Sequence, residues 1–171
     1  MLQRATLADI PALYNLLQDS FPTDEYRPYD AQLALLSEPR YTLWTTAERN
    51  ALISVWSFSD FAFIEHLAVA PACRNAGLGS QVLRTLLASL SCPVCLEAEL
   101  PETGLARRRL AFYQRNGFVI NEFPYLQPSY GAGRCPVPLC ILSTGAALTE
   151  AQFESIRNTL YREVYKKTGR S

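Results

Sequence analysis

The stretch Arg74-Asn75-Ala76-Gly77-Leu78-Gly79-Ser80 sits between an apolar run, FIEHLAVAP, and a helix-like one, QVLRTLLASL. A strand, a glycine-rich turn and a helix start together make an anion site. The first amides of the helix point outward, and its dipole adds about half a positive charge. Glycine lets the backbone come close to a ligand with no Cβ in the way. The spacing does not fit a P-loop, which needs a lysine after its last glycine. The dinucleotide fingerprint G-x-G-x-x-G is met at Gly77 and Gly79 but broken at Val82, although Glu97 and Glu99 stand near the place of its acidic residue. That fingerprint also opens the first strand of a domain, whereas helices and strands precede this loop.

Two other groups of reactive side chains carry less. Cys92-Pro-Val-Cys95 is a lone C-x-x-C, and His66 is the only histidine. A zinc site needs a second ligand pair, so no metal site is expected. A redox C-x-x-C opens a helix, whereas this one leads into the strand-like VCLEAEL. The five cysteines read as reduced thiols of a cytoplasmic protein. His66, in a core-like strand, reads as a packed residue.

The elements that must position the loop follow from periodicity. Ile10, Leu13, Leu16 and Leu17 have helical spacing, with Asp9 as cap and Pro11 in the first turn. A second helix starts near Asp30 and stops at Pro39. YTLWTT and ALISVWSFS flank the polar AERN as a hairpin, and AFIEHLAVA is a further strand. Val82, Leu83, Leu86, Leu87 and Leu90 give a helix a broad buried face. A strand at PVCLEAEL, a helix ended by Gly117, a strand at FVINEF, a Pro/Gly-rich loop from Pro124, a strand at VPLCIL and a last helix complete the chain. Thr149 and Gln152 form a capping-box pattern at that last helix, expected over 147–167. The order is β-α-α-β-β-β-α-β-α-β-β-α. The expected class is α/β (α+β): a mixed, mostly antiparallel sheet with helices on both faces, in a single domain over 1–171.

The motif R-x-x-G-x-G at Arg74–Gly79, preceded by EHLAVAP, resembles the acetyl-CoA loop of the GNAT superfamily of N-acetyltransferases. LAFYQRNGF at 110–118 resembles that family's tyrosine-bearing helix and following strand. The two motifs stand in the family's order, and the resemblance runs from Leu2 to about Leu142. It implies acetyl-CoA as co-substrate. Arg74, Asn75, Ala76, Gly77, Gly79 and Ser80 would hold its pyrophosphate, chiefly through backbone amides. The backbone of Leu67 and Val69 would pair with the pantetheine arm, and an amide near Leu67 would meet the acetyl oxygen. Tyr113 would protonate the departing thiolate. Ala106 departs from the pattern, because many relatives have an asparagine there.

An alkylammonium must lose a proton before it can attack. The resemblance puts Glu65 and Glu97 on two strands that splay at the thioester, so either is a candidate base; Glu99 is a weaker third. By strand alternation Glu65 shares a face with Leu67, and His66 points the other way unless a bulge intervenes. The family's acceptor groove would draw on 21–30 and 124–133. Glu25, Tyr26, Tyr125 and Tyr130 would line it, since carboxylates beside aromatic faces suit a cationic amine.

The expected function is therefore acetyl transfer from acetyl-CoA to a primary amine, on a small or amino-acid-like metabolite, by direct attack. The alternatives are a non-catalytic coenzyme-A-binding module, a protein N-terminal or lysine acetyltransferase, and the dinucleotide-binding domain. Sixteen basic residues balance sixteen acidic ones, so the partner is not expected to be nucleic acid. MLQRATLADI has no signal-peptide pattern and no segment is long and apolar enough to span a membrane, so a cytoplasmic monomer or homodimer is expected.

Overall fold

The computed structural model describes residues 1–167. The described residues form two compact units, the first over 1–94 and the second from Cys95 onward.

The first unit carries β1 (Leu2–Arg4), α1 (Ile10–Ser20), α2 (Tyr29–Ala34), β2 (Tyr41–Thr46), β3 (Ala51–Ser57), β4 (Ala62–Val69) and α3 (Leu78–Ser89). β1 to β4 pair in sequence order, all antiparallel. β3 is buried at every residue from Ala51 to Trp56. A strand buried at consecutive positions is covered on both faces, and both α1 and α3 pack on β3 and β4. The expected hairpin is present, with Arg49 in the left-handed region of its turn. Asp9 stands at the N-cap position of α1 with Pro11 in the first turn, as expected, but its side chain makes no capping bond to α1. Its carboxylate instead accepts from the Thr6 amide and hydroxyl at 2.8 Å each. The reason is a 3-10 turn, Leu7–Asp9, ahead of α1, whose own N-cap is Thr6. This is the reciprocal arm of a capping box.

The second unit carries β5 (Val94–Glu99, starting at the boundary), α4 (Gly104–Arg115), β6 (Phe118–Gln127), β7 (Val137–Thr144) and α5 (Glu150–Thr159). β7 lies between β5 and β6, antiparallel to both. Thr103 caps α4 by accepting from the Ala106 amide at 3.0 Å, and Gly117 ends the helix at φ +90°. The Thr149–Gln152 capping box forms as expected. α5 then opens into a π-turn, Leu160–Val164, so the predicted 147–167 helix is a shorter α-helix plus this wider turn. β6 runs on to Gln127, so Tyr125 is a strand residue rather than a loop one.

The element order matches the expectation throughout, and the chain is a mixed α/β fold with antiparallel pairing in each unit. Among the described residues no helix is long and apolar enough to cross a membrane.

Candidate active site

The loop between β4 and α3 is built for a close backbone approach. Asn75 and Gly77 both lie in the left-handed region, at φ +63° and +83°. The first helical hydrogen bond of α3 runs from the Gln81 amide to the Gly77 carbonyl at 3.0 Å. The amides of Leu78 and Gly79 therefore precede the helix's own ladder. A Cβ on Gly77 would meet nothing within 4 Å, so glycine is there for its backbone and the space beside it is open. Arg74 is exposed and folds back. Its Nε donates to the Val69 carbonyl at 2.9 Å, which ties the loop to the end of β4. Ala76 is exposed; Gly79, Ser80, Leu67 and Val69 are half-buried.

Glu65 lies at a β-bulge. Ser54 pairs with His66 and Val55 with Ile64, which leaves Glu65 as the extra residue of β4. At the break, the Ser54 hydroxyl accepts from the His66 amide at 3.0 Å. Counting alternation from Leu67 therefore fails here, and Glu65 and His66 both reach the connection between α1 and α2. Glu65 Oε1 accepts from Arg27 at 2.5 Å, and Oε2 accepts from Trp56 Nε1 at 3.1 Å. Burial by itself would raise this carboxyl, but the Arg27 guanidinium, helped by the hydrogen bonds, holds it below the ordinary glutamate range. His66 is pushed down by burial and by Arg27, so its imidazole is neutral at pH 7. Its Nε2 is 2.8 Å from the Glu25 carbonyl. A carbonyl only accepts, so Nε2 carries the proton. His66 is a packed core residue, edge-on to Phe21 at 4.9 Å. Tyr26 is also buried, edge-on to Tyr14 at 5.9 Å.

Glu97 is half-buried in a different setting. Its Oε1 accepts from the Tyr125 hydroxyl, and its Oε2 accepts from Tyr165 at 2.6 Å. Burial first, then the Glu97 charge, raise the Tyr125 phenol well above the ordinary tyrosine value, so it stays a donor. The ring of the half-buried Tyr130 lies tilted against that of Tyr165, with centroids 5.1 Å apart. Glu97, Tyr125 and Tyr130, all singled out in the sequence, thus belong to one cluster. Arg27 and Tyr165 were not singled out. Arg27 had a faint signal, a lone cation among carboxylates in FPTDEYRPYD; Tyr165 had none beyond lying on an amphipathic helix. Glu99 pairs with Arg109 at 2.8 Å.

Tyr113 follows Ala106 and Leu110 on one stripe of α4. It is half-buried, with ring contacts at 5.2 Å to Phe112 and 5.8 Å to Phe118. Burial pushes its phenol up to about 12. Ala106 is itself buried in the core. The cysteines are free thiols, and no group of side chains among the described residues could hold a metal ion.

These features can be set beside known proteins. The GNAT acetyltransferase family matches residues 10–118. A GNAT-family chain from Bacteroides thetaiotaomicron is 32% identical, with a TM-score of 0.89 over 98% of this chain and 99% of that one. The ribosomal-protein-S18-alanine N-acetyltransferase of Escherichia coli shares the fold at 19% identity and a TM-score of 0.62, over 87% and 95% of the two chains. So does a GNAT acetyltransferase from Elizabethkingia anophelis, solved with acetyl-CoA bound, at 17% identity and 0.60 over 85% and 98%. No curated protein matches the sequence. A glycine-gated helix start, a tyrosine helix and a family match over most of the chain lead to one conclusion: this protein is an acyltransferase belonging to the GNAT family of acetyltransferases.

Proposed function

We propose that the protein is a cytoplasmic N-acetyltransferase that moves an acetyl group from acetyl-CoA to a primary amine of a small or amino-acid-like metabolite. Acetyl-CoA, when bound, supplies the activated acyl group. The loop from Arg74 to Ser80 fits its pyrophosphate: two left-handed residues in three turn successive amides the same way, and open space stands where Gly77 lacks a Cβ. Leu67 and Val69 would offer backbone groups to the pantetheine arm.

The observation that carries the acceptor assignment is the contrast between the two glutamates. Glu65 is already neutralised by Arg27 and held below the ordinary range. A base works best with a pKa near the working pH, so Glu65 suits a structural role. Glu97 stands among tyrosine rings and accepts from the Tyr125 and Tyr165 hydroxyls, one on each oxygen. That arrangement attracts an alkylammonium and can take its proton. Tyr113 holds its proton across the working range and can give it to the departing thiolate. In the second unit Tyr125 and Tyr130 would line the acceptor's approach; in the first, Glu25 stays a candidate acceptor contact, while the buried Tyr26 would brace the 21–28 connection.

The test is thiol release from acetyl-CoA across a panel of polyamines, amino acids, aminoglycosides and short peptides. Turnover with small primary amines is expected. Turnover confined to peptides would move the acceptor to protein, and coenzyme A binding without turnover on any amine would defeat the enzymatic reading of the site.

A further inference from the structure

We infer that Tyr165 is a positioning residue: with Tyr125 it clamps the Glu97 carboxylate in the orientation from which it receives the acceptor's proton. The inference rests on Glu97 being the base. Three separate elements converge here. Glu97 comes from β5, Tyr125 from β6 and Tyr165 from the end of the C-terminal helical segment. A glutamate's last torsion is broad and loosely held. One donor on each oxygen removes that freedom. Both phenols are buried, at 6% and 7% exposure, so water competes little for these bonds.

The backbone that delivers Tyr165 is unusual. The Tyr165 amide donates to the Leu160 carbonyl at 3.1 Å, the five-residue step of a π-turn. Such turns are rare and gather at functional sites. Tyr161, on the same segment, does something different: its hydroxyl donates to the Leu126 carbonyl at 2.5 Å and docks the segment on β6. The matched family region ends at residue 118, so both clamping tyrosines lie beyond it. The clamp is therefore a feature of this chain's C-terminal part. Among the described residues, the charged and titratable groups around it include Glu97, Tyr125, Tyr130, Tyr161 and Tyr165, with Arg157 acting on Tyr161.

The Tyr161 contact supplies the control. Tyr165→Phe, Tyr125→Phe, Tyr161→Phe, Tyr130→Phe and Glu97→Gln are compared for Tm, kcat, KM and the pH dependence of kcat/KM, using acetyl-CoA and the fastest amine of the panel. A carbon-13 NMR titration of labelled glutamates follows Glu97 directly, with Glu97→Gln assigning its signal and no acceptor needed. Tyr165→Phe and Tyr125→Phe should each lower kcat about tenfold, the scale of one hydrogen bond to a charged group. KM for acetyl-CoA should not move. The acidic limb and the Glu97 titration should both shift upward, since each variant removes a donor that favours the charged form. Tyr161→Phe should lower Tm and leave the limb in place. If Tyr165→Phe only lowers Tm, as Tyr161→Phe does, the clamp is refuted. If Tyr130→Phe lowers kcat as much as Tyr165→Phe, the chain of hydroxyls (3.4 Å from Tyr130 to Tyr165) relays protons and does not clamp. If Glu97→Gln keeps full turnover, the base assignment falls and the clamp with it. If Glu97→Gln is inactive while Tyr165→Phe is normal, only the clamp falls.

Discussion

The Arg27 guanidinium lies 2.5 Å from Glu65 Oε1 and 5.8 Å from the centre of the Trp56 ring, whose Nε1 holds the other Glu65 oxygen. One side chain thus neutralises a buried carboxylate and stacks on the indole that completes its hydrogen bonding. Breaking such a pair from one side leaves a buried charge and costs about 3–5 kcal/mol. Arg27→Met is expected to lose stability on that scale in urea denaturation. Adding Glu65→Leu should recover most of it. The pH dependence has a definite sign. The folded carboxyl is depressed, so its contribution is complete above the ordinary glutamate value of 4.5 and is lost as pH falls below that. Arg27→Met should abolish this loss. An unchanged acid limb would show that the pair contributes nothing.

Asp9 gives a second acid-sensitive contact. The Thr6 amide, then Arg49 and the Thr6 hydroxyl, bring its carboxyl down to about 2. Its contribution is present above 3.8 and disappears between there and about 2. Asp9→Asn should therefore lower stability at pH 6 and flatten the curve below pH 4. Thermal scans across that range decide it.

Gly77 occupies φ +83°, where a side chain costs roughly 1–2 kcal/mol. No neighbour would clash with the added methyl, so the cost is conformational. Gly77→Ala should raise the Kd for coenzyme A by about tenfold, near 1.4 kcal/mol, by calorimetry. Gly104→Ala, in equally open space with no positive φ, is the control and should leave coenzyme A binding alone.

Tyr113→Phe should lower kcat by roughly a hundredfold, the lower range for a lost general acid. Because burial holds the phenol near 12, the loss should be the same at every pH from 6 to 9. Unchanged turnover, with chemistry shown to be rate-limiting, would remove Tyr113 from the reaction.

Much of this was legible from local pattern. Helical spacing at Ile10–Leu17, the glycines at 77 and 117 and the capping box at Thr149 are written in neighbouring residues, because they answer to local backbone geometry. The loop at Arg74–Ser80 belongs to the same kind. What could not be read was which distant side chains meet. Arg27 is 38 positions from Glu65, and Tyr165 is 68 from Glu97. Nothing local announces either pairing. The strand containing Tyr125 was also hidden, because β6 continues through Pro124 beside a register shift between Asn121 and Tyr125. The start of α1 after Asp9 was read correctly, but the 3-10 turn ahead of it was missed, since such a turn has no apolar period of its own.

The bulge at Glu65 makes β4 two strands in one. Residues Ala62 to Ile64 follow one alternation, and His66 to Val69 follow another, with Glu65 as the hinge between the two frames. Deleting that single residue would do more than remove a carboxylate. Val55↔Ile64 and Ser54↔His66 would become consecutive pairs, so the ladder would close without a bulge and the residues on either side would keep their partners and faces. A deletion at a neighbouring position of β4 would instead slip one frame against β3 and turn its side chains to the opposite face. The strand can therefore lose a residue in register only at Glu65, at the cost of the carboxylate that Arg27 and Trp56 hold.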